Sequence, residues 1–416
     1  MSRSLVLAIC SALSCPAFGQ VPVLAPDPVL ERGAMIDRTQ WITLQAMGDQ
    51  NATAIRNEMM LGLWLGRDLD RPLRERSWGT SQFGNRFGYE LKGGLSWTGE
   101  RLGGPEGNWR PTVGLEHTEV LGVRYSRDLY ALTFFGNADY AERTADLSSS
   151  AHENIRYQSF YAGLVDHRNG RSLRVALVKG QFLNASDIDQ ASLYTAADGR
   201  TLDVDLNARY WQSDTAQLGL SAWNGTGMSV SGSWGWQFAS EPGPLWLMAS
   251  VTDLGVVRWN ERSLRVDQDT TVSYNGITVA DVFDLDAVVL GEAQLLDTFG
   301  IRPSHAAFTR VLPFRASLAL CTSPEERWQG GLRIDQQYLP GYAPQLTFTM
   351  ARRMGQMARL SANAASGGTG GWRFGVAGQM SVGTNFSADL SISQVSGLMN
   401  DRVRGLGAAL RVQMGF

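Results

Sequence analysis

The chain ends at residues 404–416 with the stretch RGLGAALRVQMGF, and the pattern of this stretch decides the fold. Successive side chains of a β-strand point to opposite faces, so an alternation of period two separates two sets of residues. The apolar set consists of Leu406, Ala408, Leu410, Val412, Met414 and Phe416. The opposite face carries glycines, Arg411 and Gln413. Taken alone, this stretch fits a rim strand of a soluble sandwich as well as a strand of a membrane barrel.

The first residues have the features of a cleaved secretory signal peptide, predicted at 1–19. Arg3 precedes an apolar run over 5–13, and small residues stand just before the cleavage site. The run is too short to cross a bilayer as a helix. A lipoprotein attached through Cys15 is the disfavoured alternative, because the preceding leucine stands one place too close. The exported chain keeps Cys321 alone and cannot form an internal disulfide, so strand pairing and burial must stabilise it.

The composition is typical of a membrane-facing β protein and gives no indication of a nucleic-acid partner. The chain has 37 Lys and Arg residues against 40 Asp and Glu residues, so it is mildly acidic, whereas nucleic-acid-binding domains are basic. It contains 46 Gly, 13 Trp, 11 Tyr and 16 Phe residues. Strands and membrane interfaces use this mixture of residues.

Segments that resemble the C-terminal stretch recur along the chain. Clear examples are FGYELKGGLSW at 87–97, WQGGLRIDQQ at 328–337, WRFGVAGQMSV at 372–382 and FSADLSIS at 386–393. About ten such segments approach the roughly 9 to 11 residues that a tilted strand needs to cross a membrane. The sequence therefore predicts an all-β fold, a closed transmembrane antiparallel β-barrel.

The connections between these segments indicate the orientation and the number of strands. We assign Phe416 to the periplasmic side and expect short turns there, with longer connections on the opposite side. If residues 202–223 are an external excursion, the barrel has about 14 strands, and if they cross the membrane it has about 16. The predicted short turns are 126–128, 168–171, 241–244, 323–327, 352–356 and 381–385.

The predicted organisation places an N-terminal segment at 20–83 before the barrel at 84–416. The segment is either a plug or a first strand, and NEMMLGLWLG at 57–66 fits both alternatives. At 117–120, the sequence HTEV puts His117 and Glu119 on what should be the apolar face, so we expect a bulge or a register error there.

A long excursion at 259–305 interrupts the barrel pattern. Within it, the apolar residues of 280–300 recur at spacings of three and four, which predicts a short amphipathic, acidic helix. We expect this helix to cover the barrel mouth as a lid or plug, or to pack against a partner.

The wet face of the strands carries charged residues that we assign to the lumen. An arginine-rich lumen can bind anions, but the same charges can also pair with one another inside the barrel. No histidine stands at metal-ligand spacing with another ligand, so we expect no catalytic residue, no cofactor and no metal. The candidate lumen residues are Arg174, Arg315, Arg333, Asp335, Arg373, Asp389 and Arg411.

Several segments together resemble a known family. LMASVTDLGVVRWN at 247–260 and RVLPFRASLAL at 310–320 are similar to an uncharacterised family of Bacteroidota outer-membrane barrels, a domain of unknown function with an A-S-V-x-D-L-G-x-x-x-W strand. This family is similar in architecture to FadL-type channels of about 14 strands, which favours 14 here. The resemblance covers about 85–416, and it implies no catalytic or ligand residues. The motif residues are Asp253, Leu254, Gly255 and Trp259.

The expected function is passage or reception of a small or hydrophobic solute across the outer membrane. The alternative is a non-transporting envelope barrel that anchors or assembles with surface or periplasmic proteins. The expected partners are outer-membrane lipid, the assembly machinery of the outer membrane and the solute. An open polar lumen favours transport, whereas a lumen filled by cross-paired charges favours the alternative.

Two residues have expected structural roles. Phe416 resembles the terminal aromatic residue that the assembly machinery reads, and it suits the membrane interface. A carboxylate that faced hydrocarbon would be costly, so Asp253 should face the lumen and bond backbone amides or an arginine. Its strand has no cleanly polar phase, so it is either covered on both sides or shifted by a bulge near Gly255. We expect Asp253 to fix the turn of the chain into the excursion near Trp259.

Overall fold

A computed structural model gives the fold of the protein. It describes residues 39–104, 107–166, 169–197, 201–241, 243–274, 304–322, 327–355, 357–383, 385–400 and 402–416. The strands are β1 (Trp41–Ala52), β2 (Gly84–Thr98), β3 (Arg110–Ser126), β4 (Arg143–Asp146), β5 (Ser150–Asp166), β6 (Arg171–Thr195), β7 (Leu202–Gln212), β8 (Gly225–Phe238), β9 (Leu245–Trp259), β10 (Leu264–Tyr274), β11 (Ser304–His305), β12 (Phe308–Val311), β13 (Arg315–Thr322), β14 (Trp328–Gln337), β15 (Ala343–Met354), β16 (Ala358–Gly368), β17 (Arg373–Val382), β18 (Phe386–Ile392) and β19 (Gly405–Gly415). The helices are α1 (Asn57–Trp64), α2 (Arg71–Trp78), α3 (Arg127–Phe135), α4 (Val395–Met399) and a 3-10 helix at Ala138–Tyr140.

Fourteen strands close into one antiparallel barrel, which confirms the predicted fold class and the smaller of the two strand numbers. The closing pair is β1 with β19, in which Trp41 lies opposite Gly415. β7 lies outside the barrel, where it pairs with β6 and β10, as expected of an external excursion. The wall consists of β1, β2, β3, β5, β6, β8, β9 and β13 to β19 in that order.

The N-terminal segment contributes to the wall. β1 belongs to it, so the barrel begins at Trp41 rather than at residue 84. The stretch NEMMLGLWLG forms helix α1 and the turn that follows it, so it is not a strand. α1 and α2 follow β1 and lead the chain back to β2.

The two rims of the barrel differ, and we call the rim that holds Phe416 the lower rim. The wall strands are joined there by 99–109, 167–170, 239–244, 323–327, 355–357 and 383–385. Five of the six predicted short turns overlap these connections. The prediction for 126–128 is wrong, because Ser126 ends β3 at the upper rim and the glycine-rich connection 99–109 makes the lower turn.

The outer face above the lower rim is apolar. Outward-facing side chains such as Leu95, Leu115, Leu177 and Phe348 are each more than half exposed. Such a band suits the hydrocarbon of a bilayer. Among the helices of the described residues, none is both long and apolar enough to cross a membrane. The predicted helix at 280–300 lies outside the described residues.

Near the upper rim, helices cover the outer face of the wall. Met59 and Met60 of α1 and Tyr130 of α3 pack against the outward-facing Phe87 and Tyr125. Burial raises the pKa of Tyr130 to about 12, so its hydroxyl stays protonated and donates to the Arg74 carbonyl at 3.0 Å. This helical layer lies beyond the exposed apolar band.

The predicted bulge at 117–120 is wrong, because β3 pairs there with β2 and β5 in continuous register. Glu119 does lie on the outer face. The Tyr89 hydroxyl donates to it at 2.7 Å, and the Arg156 guanidinium lies 3.8 Å from it. The polar side chains thus satisfy one another without any change of register.

An external sheet rises above the upper rim from the second half of β6, β7 and β10. Asp187, Arg209 and Asp267 lie side by side on its three strands. Further aspartates on this sheet are Asp189, Asp203, Asp205 and Asp269, against the two arginines Arg209 and Arg265. The sheet is therefore strongly acidic.

Candidate functional site

A layer of buried side chains crosses the upper half of the lumen, and we call it the barrier. It is built from inward-facing residues of β5, β6 and β9 and from the segment between β12 and β13. Trp259 and Leu312 are completely buried at its centre. The barrier consists of Ile155, Tyr157, Leu183, Val257, Trp259 and Leu312.

A break in the regularity of the wall lies at the lower edge of the barrier. Asp253 adopts a φ of +57°, a left-handed conformation that Asp and Asn tolerate better than other side chains. Two residues of β9, Thr252 and Asp253, lie opposite Ser231 alone on β8, which is a β-bulge. The bulge lies two residues before Gly255, where the sequence placed it.

The neighbouring strand is broken at the same height. β12 pairs with β9 above the bulge and β13 pairs with it below. The residues between them, 312–314, leave the ladder, and the Leu312 amide donates to the Gly255 carbonyl at 2.9 Å. The bulge turns Asp253 into the lumen and Leu254 outward, so the phase of β9 changes at this point. This change explains why neither phase of the strand is cleanly polar.

The Asp253 carboxylate connects three parts of the wall. The Tyr157 hydroxyl of β5 donates to it at 3.1 Å, and the Lys92 ammonium of β2 lies 3.6 Å away. Lys92 also pairs with Glu116 of β3. The Asp253 amide donates to the Ser231 hydroxyl at 2.9 Å. The carboxylate thus faces the lumen, but its partners are a tyrosine and a lysine rather than an arginine.

A second ion pair crosses the lumen beside the first. The Arg315 guanidinium of β13 donates to Glu90 of β2 at 2.6 Å, although these strands stand on opposite sides of the barrel. Charge-assisted hydrogen bonds of this length are among the strongest that side chains make. The two contacts together tie β2 to the irregular side of the wall.

Two upper connections also fold over the lumen. Leu339, between β14 and β15, packs against the barrier. It lies so close to Gly122 on the opposite wall that a Cβ at Gly122 would come within 2.4 Å of it. Similarly, a Cβ at Gly88 would come within 2.5 Å of Thr369. Glycine is therefore required where these connections approach the far wall.

Below the barrier the lumen keeps a cavity of about 190 Å³, which we call the lower cavity. Its lining is mostly polar and extends from Asp253 down to Trp41 and Gln413 near the lower rim. A cavity of this size is large enough for several water molecules. The lumen is thus closed above and hollow below.

All seven predicted lumen residues lie on the inner face of the wall. Besides Arg315, three arginines pair with carboxylates: Arg333 with Asp335 at 2.8 Å, Arg373 with Asp49 at 2.7 Å, and Arg411 with Asp389 at 2.9 Å. Arg174 lies over the ring of Tyr161 at 5.2 Å. The sequence did not identify Tyr157 or Ser231 as partners of Asp253, since no local pattern marks either residue.

The remaining motif residues and Phe416 occupy distinct places. Leu254 points outward and is half exposed, whereas Trp259 ends β9 inside the barrier. Gly255 permits close packing, because a Cβ there would lie 2.1 Å from the Met228 carbonyl. Phe416 lies at the lower rim, where its amide donates to the Gln40 carbonyl at 3.1 Å.

Side chains of the types used in catalysis meet on the outer face, away from the lumen. His152 of β5 contacts the Ser186 hydroxyl at 2.7 Å and the Asn184 amide oxygen at 2.6 Å. These residues lie on two neighbouring strands and complete one another's hydrogen bonds. Within the described residues, no group of three or more His, Cys, Asp or Glu side chains is arranged to hold a metal ion.

Comparison with known proteins gives a family and distant structural relatives. The family of unknown function DUF5723 matches residues 103–388, well over half of the chain. This match confirms the resemblance to a domain of unknown function, while the Bacteroidota origin stays a prediction. No curated protein matches the chain.

Several solved structures are similar to the chain in fold. A TodX deltaS2S3 mutant, a monoaromatic hydrocarbon channel, has a TM-score of 0.46 and 11% identity over 96% of each chain. The P. putida toluene transporter TodX has a TM-score of 0.43 and 11% identity over 91% of this chain and 90% of that one. The translocator domain of the autotransporter NalP from Neisseria meningitidis has a TM-score of 0.30 and 10% identity over 93% and 91%.

Proposed function

The chain belongs to the family of unknown function DUF5723, and from this premise we propose that it is an outer-membrane barrel that passes or receives a small or hydrophobic solute. In this proposal the lumen is the path, and the conformation described above is its closed state. The apolar outer band and the 14-strand barrel support a position in the outer membrane.

The observation that carries the proposal is that a wide barrel is closed over only part of its height. A barrel of about 8 strands is filled by its own side chains, whereas wider barrels enclose cavities or channels. Here the closure consists of the barrier, two ion pairs that cross the lumen and two infolded connections, with the lower cavity still open below. A barrel that served as an anchor alone would not need this width.

The barrier also indicates the kind of solute. Its central residues are aromatic and aliphatic, so a small apolar molecule can pass by displacing side chains rather than a folded domain. The lower cavity is lined mainly by hydroxyl, amide and charged groups, which suits release toward water. The size and apolar character of the barrier therefore favour a small or hydrophobic solute.

Ion conductance across planar bilayers tests whether the ion pairs that cross the lumen hold it closed. We expect low conductance from the wild-type protein and a rise of about tenfold in Glu90→Gln, because Arg315 loses its anchor across the lumen. The matched control is Asp389→Asn, which removes a partner of Arg411 on the neighbouring strand and should leave conductance low. Background conductance in both variants would contradict a gated path.

The proposed location has its own test. The mature protein should fractionate with outer membranes and migrate faster unheated than boiled on a detergent gel, as closed membrane barrels do. Recovery as a soluble periplasmic monomer would exclude the outer-membrane barrel.

A second function is favoured by the external sheet and the helices on the outer wall. In this alternative the barrel does not transport and instead presents the sheet of β6, β7 and β10 to another envelope protein. Its support is the acidic surface formed around Asp187, Asp205 and Asp267. Replacement of these aspartates by asparagine should then dissolve a defined complex on native gels, while every lumen variant keeps background conductance.

A further inference from the structure

Arg174 differs from the other predicted lumen arginines in its lack of a carboxylate partner. Arg315, Arg333, Arg373 and Arg411 each lie within 2.9 Å of a carboxylate oxygen. In the described part of the chain, no carboxylate lies within the 4.0 Å ion-pair distance of Arg174. Among the described residues, its positive charge therefore has no carboxylate in direct contact.

The position of Arg174 directs this charge into the lower cavity. It lies on β6 opposite Gly163 of β5 and Ser231 of β8, and its side chain packs over Gly163, where a Cβ would come within 3.0 Å of the Arg174 Cγ. Its guanidinium carbon lies 5.2 Å from the centre of the Tyr161 ring. Its buried Nε has no hydrogen-bond partner among the described residues. Stacking on Tyr161 holds the guanidinium plane while its donors remain free to bind.

The other charged residues that line the lower cavity all have partners. Its carboxylates are all engaged: Glu90 with Arg315, Asp335 with Arg333, and both Glu116 and Asp253 with Lys92. Arg411 has its partner, Asp389, outside the cavity. Among the five cations of this lining, Arg174 alone has no carboxylate within ion-pair distance in the described residues. An unpaired charge inside a membrane barrel is costly unless an ion or water compensates it.

We propose that Arg174, Tyr161 and the lower cavity form a binding site for a small oxyanion that enters from the lower rim. The guanidinium fork matches the two oxygens of a carboxylate or phosphate group. Thr252 lines the same cavity and offers a hydroxyl donor. A cavity of about 190 Å³ accommodates an ion of this size together with water. The site deepens the proposed function, because it gives the lower lumen a selectivity for anions.

Isothermal titration of the full-length mature protein in detergent micelles tests the site. The titrants are sodium phosphate and sodium acetate, each at an ionic strength held constant with sodium chloride. We expect saturable binding of one anion per protein, weakened about tenfold in Arg174→Gln. Arg174→Lys should bind with intermediate affinity, because it keeps the charge but loses the planar fork.

The matched control is Arg353→Gln. Arg353 lies near the lower rim outside the cavity, where its guanidinium donates to the Gly355 carbonyl at 3.1 Å, so this variant should bind like the wild type. Heat-modifiable migration on a gel verifies that each variant is folded. Absence of saturable binding in the wild type, or equal binding in folded Arg174→Gln, would overturn the site.

The titration does not require passage of any solute. If the wild type binds the anion but every lumen variant has only background conductance, the transport proposal is contradicted and the anion site is not. Conductance that rises in Glu90→Gln without anion binding contradicts the anion site alone.

Discussion

The strands of Trp328–Gly415 and those of Arg171–Thr322 form the same barrel wall in different ways. β14 to β19 are a simple meander, with a single register shift near the upper end of β15. The other region contains a 25-residue strand, an external sheet, three register shifts and the positive φ of Asp253. The regular region follows the alternation of its sequence, whereas the irregular region departs from it.

The two regions also differ in the direction of the ion pairs that they make. In the regular region, the pair of Arg411 and Asp389 joins neighbouring strands along the wall. In the irregular region, Asp253 and Arg315 reach β2 across the lumen. A β-bulge re-aims side chains and bends its strand, so the bulge is what turns the Asp253 carboxylate toward β2. The predictions below test this contrast, and they are ordered from the largest expected effect to the smallest.

Substitution of Asp253 should have the largest effect. Asp253→Leu leaves Lys92 and Tyr157 without their partner, at about 1 to 3 kcal/mol, and puts a leucine at positive φ for about 1 to 2 kcal/mol more. Asp253→Asn tolerates the conformation and keeps a hydrogen-bond acceptor, so it should lose less. Unfolding by guanidinium in micelles measures the difference.

The controls for Asp253 separate its backbone from its carboxylate. Asp253→Gly keeps the positive φ and removes the carboxylate, so it should fall between the other two variants. If Asp253→Leu assembled with normal stability and changed only solute passage, the residue would belong to the transport path and not to the structure of the wall.

Gly255→Ala should have the next largest effect. The new Cβ would lie 2.1 Å from the Met228 carbonyl and 2.6 Å from the Ser229 Cα, so the backbone of β8 must move. Overpacking of this kind costs about 1 to 3 kcal/mol. Gly330→Ala in the regular region is the matched control, since nothing lies within 4 Å of its added Cβ. Equal unfolding free energies for the two variants would refute the close packing at Gly255.

Tyr157→Phe should have a smaller effect. It removes the hydroxyl that donates to Asp253 but keeps the buried ring, so the expected loss is about 1 kcal/mol. The control is Ser387→Ala, which removes a 3.2 Å hydrogen bond to Gln413 on the neighbouring strand. We expect a smaller loss for the control, because no charged group loses a donor there. A larger loss for Ser387→Ala would reverse the contrast between the two regions.

Deletion of Phe416 should change the folded stability least. Its side chain is 62% exposed at the lower rim, so its removal costs little in the finished barrel. We propose that the assembly machinery reads this terminal aromatic residue, so the amount of assembled, heat-modifiable protein should fall while export stays intact. Normal abundance of assembled barrel would show that Phe416 is incidental.

Local side-chain alternation was sufficient to predict the barrel. The segments at 328–337, 372–382 and 386–393 correspond to strands whose apolar and polar faces lie as the sequence indicates. The same alternation assigned the seven candidate lumen residues, Arg174 and Arg333 among them, to the inner face. These features depend only on the period of two along a strand.

Alternation did not predict two other features of the wall, its first strand and a polar pair on its outer face. The first strand, Trp41–Ala52, adjoins helices that cover the upper end of its outer face, so the sequence placed the start of the barrel at residue 84 instead. The polar pair of Glu119 and Tyr89 resembled a register error, although it lies in a continuous strand. In each case a contact from another element compensated for the departure from the pattern.

The sequence by itself determined which face of the regular strands is wet, because that depends on neighbours one and two positions away. Only the tertiary structure decided which wet residues meet. Glu90 and Arg315 are 225 positions apart, and their contact depends on the register of every strand between them and on the bulge that turns Asp253 inward. A shift of one residue in any of these strands would exchange the faces, so partners across the lumen are a property of the closed wall.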